Sequence, residues 1–385
     1  MPQKILLISP VSPFDPQSGA QQRSALLYEA LAQCGEVDVL LLEATRGPDQ
    51  FESRPRPGII AHAKWHERPA GIDKYRPNAA LNTALESADI ALSEYDLIVS
   101  RNLNPVCKLD IPVGIPVIAD LDDWGYRYGD GQESLLSALT IRLKSAYAGY
   151  LARRQLKRFS AYFFVSRRDQ ALHPELRSAV LPNIPFNPPA APIAQTDSQT
   201  ILFVGALWYQ PNRQGIDHFL AQCWPNIKSR VSHAQLLLVG AASEGTRGQW
   251  ARHPDVRAPG YVPDLSAAYR EAAFTIAPIY FGGGTNIKVL ESLAHNRACV
   301  TTPHCADAFA EDLVAGGGLS VAPNDAAFIE QCVALFNSET VRDKQAQIGY
   351  DIVSTQYNKQ RFFDLVAELV NEVKLTPGTT SADRK

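Results

Sequence analysis

The amino-acid sequence predicts two doubly wound α/β domains joined by a linker. Three observations carry this. Short apolar runs of strand length alternate with helical patterns, a proline-rich stretch interrupts them after residue 182, and the alternation begins again near residue 200. The chain has 385 residues, enough for two or three domains and for a large core without disulfides or metals. Hydrophobic residues make up 45% and charged residues 20%, which excludes a disordered chain, a collagen-like fibre and a coiled coil as the main architecture. The 37 Lys and Arg against 40 Asp and Glu leave a net charge of −3, which argues against a dedicated nucleic-acid binder.

In the first half, Ile5 to Ile8 reads as a buried strand and Pro10 to Ala20 as a loop. Arg23 to Cys34 carries apolar residues at helical spacing, stopped by Gly35, and Val37 to Leu42 is the next strand. A unit of this length is βαβ, hence a parallel sheet. Leu97 to Val99, Val117 to Ala119 and Tyr162 to Val165 continue it. Residues 183–200 have linker chemistry, with Pro185, Pro188, Pro189 and Pro192 followed by a polar run from Gln195 to Thr200. The expected domains are therefore 1–182 and 201–355. A final helix over 356–375 is expected to pack back toward the first domain, and a tail, 376–385, to be disordered.

In the second half, Ile201 to Val204, Leu236 to Val239, Phe274 to Ile279 and Ala298 to Thr301 read as strands. Gly215 to Ile227, Ile287 to Leu293 and three stretches near 324–337, 340–352 and 359–374 read as helices. Six scattered cysteines without a CxxC pair suit reduced thiols in a cytoplasmic protein. No run of 18 apolar residues marks a membrane span, and the N-terminal apolar stretch is too short for a signal peptide.

The strongest chemical signal is the run from Ala277 to Ala294. A strand ends, Gly282, Gly283 and Gly284 form a loop, and a helix begins near Thr285, Asn286 and Ile287. Glycines let backbone amides approach an anion, the helix start adds unpaired donors, and Lys288 adds a full charge. Glu291 shares that helix face and suits a sugar hydroxyl such as a ribose. Together these describe a nucleotide sugar. A tight turn followed by a solvated helix would also produce the triple glycine.

This stretch resembles the retaining glycosyltransferases of family 4, whose fold is GT-B, two Rossmann-like domains facing a cleft. Members often read G-x-G-T-x-x-K-x-x-E-A here. Gly260-Tyr261-Val262-Pro263-Asp264-Leu265 resembles the family's G-x-V-x-D-L segment. Val204 to Asn212 resembles a subgroup's G-x-(M/L)-x-(W/Y)-x-P-N loop, and Leu181-Pro182-Asn183 its P-N before the linker. The resemblance covers most of residues 4–370. It implies a nucleotide-sugar donor, transfer with retention to a saccharide or lipid-linked acceptor, polysaccharide or glycoconjugate assembly, and no required metal or other cofactor. Carried over, Gly283, Gly284, Thr285, Asn286 and Lys288 face the donor diphosphate and Glu291 the ribose, with Gly19, Gly205, Asn212 and Ile287 further donor-binding residues. Gly19, in the loop Pro13 to Arg23, resembles the family's first glycine loop, although a plain βα turn fits it as well.

Two departures stand out. Many members have a second glutamate eight positions before Glu291, where this chain has Gly283. Many have Gly-Arg after the first strand of this domain, where this chain has Gly205-Ala206. Arg213 is the substitute cation, or simply a solvated residue at a helix start. Asp120, Asp122 and Asp123 end a strand of the first domain. Two readings stand for them: carboxylates that orient or deprotonate an acceptor hydroxyl, or a salt-bridged cluster. The D-x-D spacing also suits Mg²⁺, and the eight histidines show no ligand spacing. Residues 142–158 hold six Lys and Arg and no acid. They are either a solvated face or a peripheral contact with an anionic inner-membrane surface. A nucleotide-sugar epimerase or a non-catalytic GT-B scaffold remain the alternative functions.

Overall fold

A computed structural model describes residues 2–14, 16, 18–66, 75–122, 150, 153–186, 188–282 and 285–375. The chain divides into two compact units, Met1–Pro182 with Lys359–Lys385, and Asn183–Asn358.

The N-terminal unit is built on an eight-stranded sheet. Its strands are β1 Lys4–Ser9, β2 Glu36–Thr45, β3 Gln50–Arg56, β4 Ile59–His66, β5 Leu97–Arg101, β6 Val117–Leu121, β7 Ala161–Phe164 and β8 Ser178–Val180. The spatial order is β3-β4-β2-β1-β5-β6-β7-β8. Every neighbouring pair is parallel except β3 with β4, an antiparallel hairpin at the edge. β1, β5, β6 and β7 are buried along nearly their whole length because helices cover both faces of a parallel sheet. The helix Gly19–Ala32 starts at Ser18, whose hydroxyl accepts from the Gln21 amide. The helix Lys359–Leu375 belongs to this unit and lies against Gly19–Ala32, with Lys359 paired to Glu29 and Arg23 5.8 Å from the Phe362 ring centre.

The C-terminal unit is built on six parallel strands: β9 Thr200–Val204, β10 Gln235–Val239, β11 Val256–Gly260, β12 Phe274–Ala277, β13 Cys299–Thr301 and β14 Ser320–Val321, in the order β11-β10-β9-β12-β13-β14. The sheet grows outward in one direction from β9 and in the other from β12. That reversal opens a crevice at their carboxyl ends, where ligands of such sheets bind. The helices Asp325–Asn337 and Glu339–Gln356 finish the unit. Gly349 of the latter lets Leu293 of the helix Ile287–Ala294 come close, since a Cβ there would sit 2.6 Å from its Cδ2.

Two elements differ from the sequence reading. The helix expected from Gly215 begins at Gln210, because a proline in a first turn costs a helix nothing. It runs to His218, passes through a π turn, Phe219–Cys223, and resumes as Trp224–Arg230. The stretch read as a linker, 183–200, is held on the C-terminal unit. The buried Arg297 guanidinium donates to the carbonyls of Ile193 and Ala194, 3.4 and 2.8 Å away, and Ile184 is buried.

Candidate functional site

The β9–β12 crevice gathers most of the residues singled out in the second half. Gly205 follows β9, and a Cβ there would lie 3.1 Å from Asn212 Nδ2 and 3.3 Å from Lys288 Cε. Gly205, Asn212 and Lys288 are thus one packed group. Asn212 is buried and its amide donates to the Ala206 carbonyl at 2.9 Å, which fixes the loop after β9. Two further glycines make this approach possible. A Cβ on Gly240, whose φ is +144°, would strike the Gly205 carbonyl at 1.7 Å, and one on Gly215 would strike the Pro278 carbonyl at 2.0 Å. Gly282, at φ +119°, packs against Pro211 and the Tyr209 ring.

Beyond the glycine loop, Thr285 and Asn286 lead into the helix Ile287–Ala294. Asn286 makes no side-chain cap; its Oδ1 instead accepts from Lys288 Nζ at 3.0 Å. The helix start therefore keeps its donor character and positive dipole end. Asn183 Nδ2 donates to Thr285 Oγ1 at 2.7 Å. On the other side of the loop, Tyr280 stacks edge-on against His218 at 5.0 Å, and His218 pairs with Asp325 at 2.9 Å.

Burial holds the Lys288 ammonium below its usual lysine range, against the opposing pull of Cys305, Glu291 and Cys299. Burial also pushes the Glu291 carboxyl up to about 7, against the pull of Lys288 and the Phe186 amide. A cation that is hard to keep charged gains most when an anion arrives. A carboxyl poised near neutrality accepts hydroxyl protons above that pH and donates its own below it.

Gly283, Gly284 and Asp123 lie outside the described residues. Arg213 is not packed into the Gly205–Lys288 group. Its side chain is 54% exposed on the outer face of its helix and lies 3.8 Å from Asp217, because the helix turns Asn212 and Ile216 inward instead. Gly19 is exposed at the start of its helix in the N-terminal unit. Asp120 and Asp122 form the salt-bridged cluster that was the second reading. Arg23 grips Asp120 with two hydrogen bonds of 2.8 and 2.5 Å and also reaches the Leu181 carbonyl; Arg101 contacts Asp120 at 3.2 Å and pairs with Asp122. Asp120 is fully buried, while Asp122 retains 18% of its surface, and burial together with Asp120 raises its carboxyl against Arg101 and Arg23. Among the described residues no group of three or more His, Cys, Asp or Glu is placed to hold a metal, and no helix is long and apolar enough to cross a membrane.

Several solved structures align with nearly all of the chain. Sucrose-phosphate synthase from Thermosynechococcus elongatus matches at 16% identity over 96% of this chain and 99% of that one, with a TM-score of 0.63. Anabaena HepE in complex with UDP and glucose matches at 14% identity over 96% and 100%, with a TM-score of 0.61. An E. coli structure described as trehalose-6-phosphate bound with UDP-2-fluoro glucose matches at 11% over 97% and 99%, also at 0.61. The fold is GT-B. Residues 198–338, which span the whole β9–β12 crevice, match the family model described as Glycosyl transferases group 1. No curated protein sequence matches the chain. The GT-B likeness extends through both units, while the group 1 match is confined to the C-terminal one.

Proposed function

We propose that the chain is a glycosyltransferase that moves a sugar from a nucleotide-diphosphate sugar to a saccharide or lipid-linked acceptor. The observation that carries this is the convergence of Lys288, an uncapped helix start and Glu291 at the carboxyl ends of β9 and β12. The group 1 match over the same residues supports it, as do two of the similar structures, which hold UDP or UDP-2-fluoro glucose.

In such a transfer the bond between the anomeric carbon and the β-phosphate oxygen breaks, and the departing diphosphate gains negative charge. Lys288 and the amides at the start of Ile287–Ala294 stabilise that charge, so no metal is required. Glu291 accepts the ribose hydroxyls and fixes the nucleotide. The packing of Gly205 against Asn212 and Lys288 brings backbone close to the phosphates. Asp122, the less buried end of the N-terminal cluster, orients the acceptor hydroxyl. Retention of configuration and a setting in polysaccharide or glycoconjugate assembly rest on the resemblance to family 4; contact with a membrane surface rests on the basic stretch 142–158.

The test is thermal stabilisation of the full chain by UDP, GDP, ADP and dTDP at millimolar concentration. A ligand at a hundred times its Kd adds about 2.7 kcal/mol. For a unit of this size that is about 5–10 °C, and Lys288→Ala removes most of it. If none of the four shifts the melting temperature, the donor site is misassigned.

A further inference from the structure

The segment by which the chain enters the C-terminal unit touches the start of the donor-side helix. Asn183 is the first residue of that unit, and its carboxamide donates to Thr285 Oγ1 at 2.7 Å, across 102 positions of sequence. Ile184 and Pro185, which follow it, are buried and cannot swing away cheaply.

Thr285 is the residue that joins the glycine loop to the helix start. A hydroxyl has one proton and two lone pairs. With Asn183 donating into a lone pair, the Thr285 proton is directed elsewhere, and the polarised hydroxyl becomes a better donor to a phosphate oxygen.

We propose that Asn183 is a built part of the donor site and positions the Thr285 hydroxyl for the diphosphate. This rests on the donor-site reading above and adds a residue that reading does not use. Asn183 does not touch the reacting bond; it acts through the side chain it holds. Because Asn183 begins the C-terminal unit, donor occupancy and the conformation of this entry segment are linked, each favouring the other.

The experiment is calorimetric titration of UDP, GDP, ADP and dTDP into the full-length wild type, Asn183→Ala, Thr285→Val and the double variant. For the nucleotide that binds best, Asn183→Ala is expected to weaken binding about fivefold, the value of one neutral hydrogen bond. Thr285→Val weakens it further, and the double variant equals Thr285→Val alone, because Asn183 acts only through Thr285. If the free Asn183→Ala protein melts more than about 5 °C below wild type, Asn183→Ser replaces it.

If the wild type binds while Asn183→Ala stays within twofold of it, or the two single losses add in the double variant, the proposal falls and the donor site stands. If the wild type binds none of the four, the donor site falls and the proposal with it.

Discussion

Replacing Glu291 by glutamine should stabilise the protein in alkaline solution and hardly at all in acid. The carboxyl is moved from an ordinary 4.5 to about 7 by burial, so between these values the folded chain holds a proton that the unfolded chain has released. Stability contributed by the protonated form is complete below about 4.5 and is lost as pH rises through 7. At about 1.4 kcal/mol for each tenfold change in proton affinity, the full loss is about 3 kcal/mol. Glutamine keeps the shape and carries no charge, so it escapes the loss. Removing the carboxylate beside Lys288 trims the gain, which makes about 3 kcal/mol the ceiling. The unit Asn183–Asn358 is in the size range where 1 kcal/mol moves the melting temperature by about 2–4 °C. Differential scanning calorimetry from pH 4 to pH 8 should therefore show the variant level with wild type at pH 4. At pH 8 it should melt up to about 6–12 °C higher, while binding nucleotide less well. A difference that does not change with pH, or a variant less stable at pH 8, would refute the buried, charge-strained placement of Glu291.

Three more outcomes follow from particular contacts. Gly215→Ala should destabilise the C-terminal unit by about 2 kcal/mol or more in urea titration: alanine favours a helix by about 1 kcal/mol, but its Cβ meets the Pro278 carbonyl at 2.0 Å, and a net gain in stability would show that the helix is not seated there. EDTA should leave transfer activity intact, since Lys288 and the helix start supply the positive charge; loss on chelation, restored by Mg²⁺ or Mn²⁺, would reverse that. Anionic vesicles should sediment the protein at low salt and release it near 1 M, where the screening length falls to about 3 Å. Arg153→Glu with Arg154→Glu, on exposed positions beside the buried Leu156, should abolish the effect, and equal binding to neutral vesicles would exclude a membrane role for this face.

Both sheets were legible where strands are buried on both faces, because unbroken apolar runs such as Ile5 to Ile8 and Leu236 to Val239 have no other use. The hairpin of β3 and β4 was not. Gln50–Arg56 is mostly exposed and contains Pro55, which an edge strand tolerates and a sequence pattern reads as loop. The helix Ile287–Ala294, with Lys288 and Glu291, was legible because its chemistry lies within one turn. Arg213 was read as a substitute cation because charge is visible in sequence and helix rotation is not; the fold turns Asn212 in and Arg213 out. Asp120 and Asp122 could be seen, but not that Arg23 and Arg101 neutralise them, since Arg23 lies 97 positions from Asp120. Asn183 stood out only by resemblance. Its partner, Thr285, is set by tertiary packing and has no local signature.

The most direct measurement is turnover of a panel of nucleotide sugars, with release of nucleoside diphosphate followed in the presence of candidate saccharide and lipid-linked acceptors. The wild type should release diphosphate from one nucleotide class, faster when the right acceptor is present. Lys288→Ala should lose at least about a hundredfold, the scale of removing one charge-stabilising donor from a transition state. Equal release by wild type and Lys288→Ala, or none by the wild type from any nucleotide sugar, would contradict a sugar transferase working through this site.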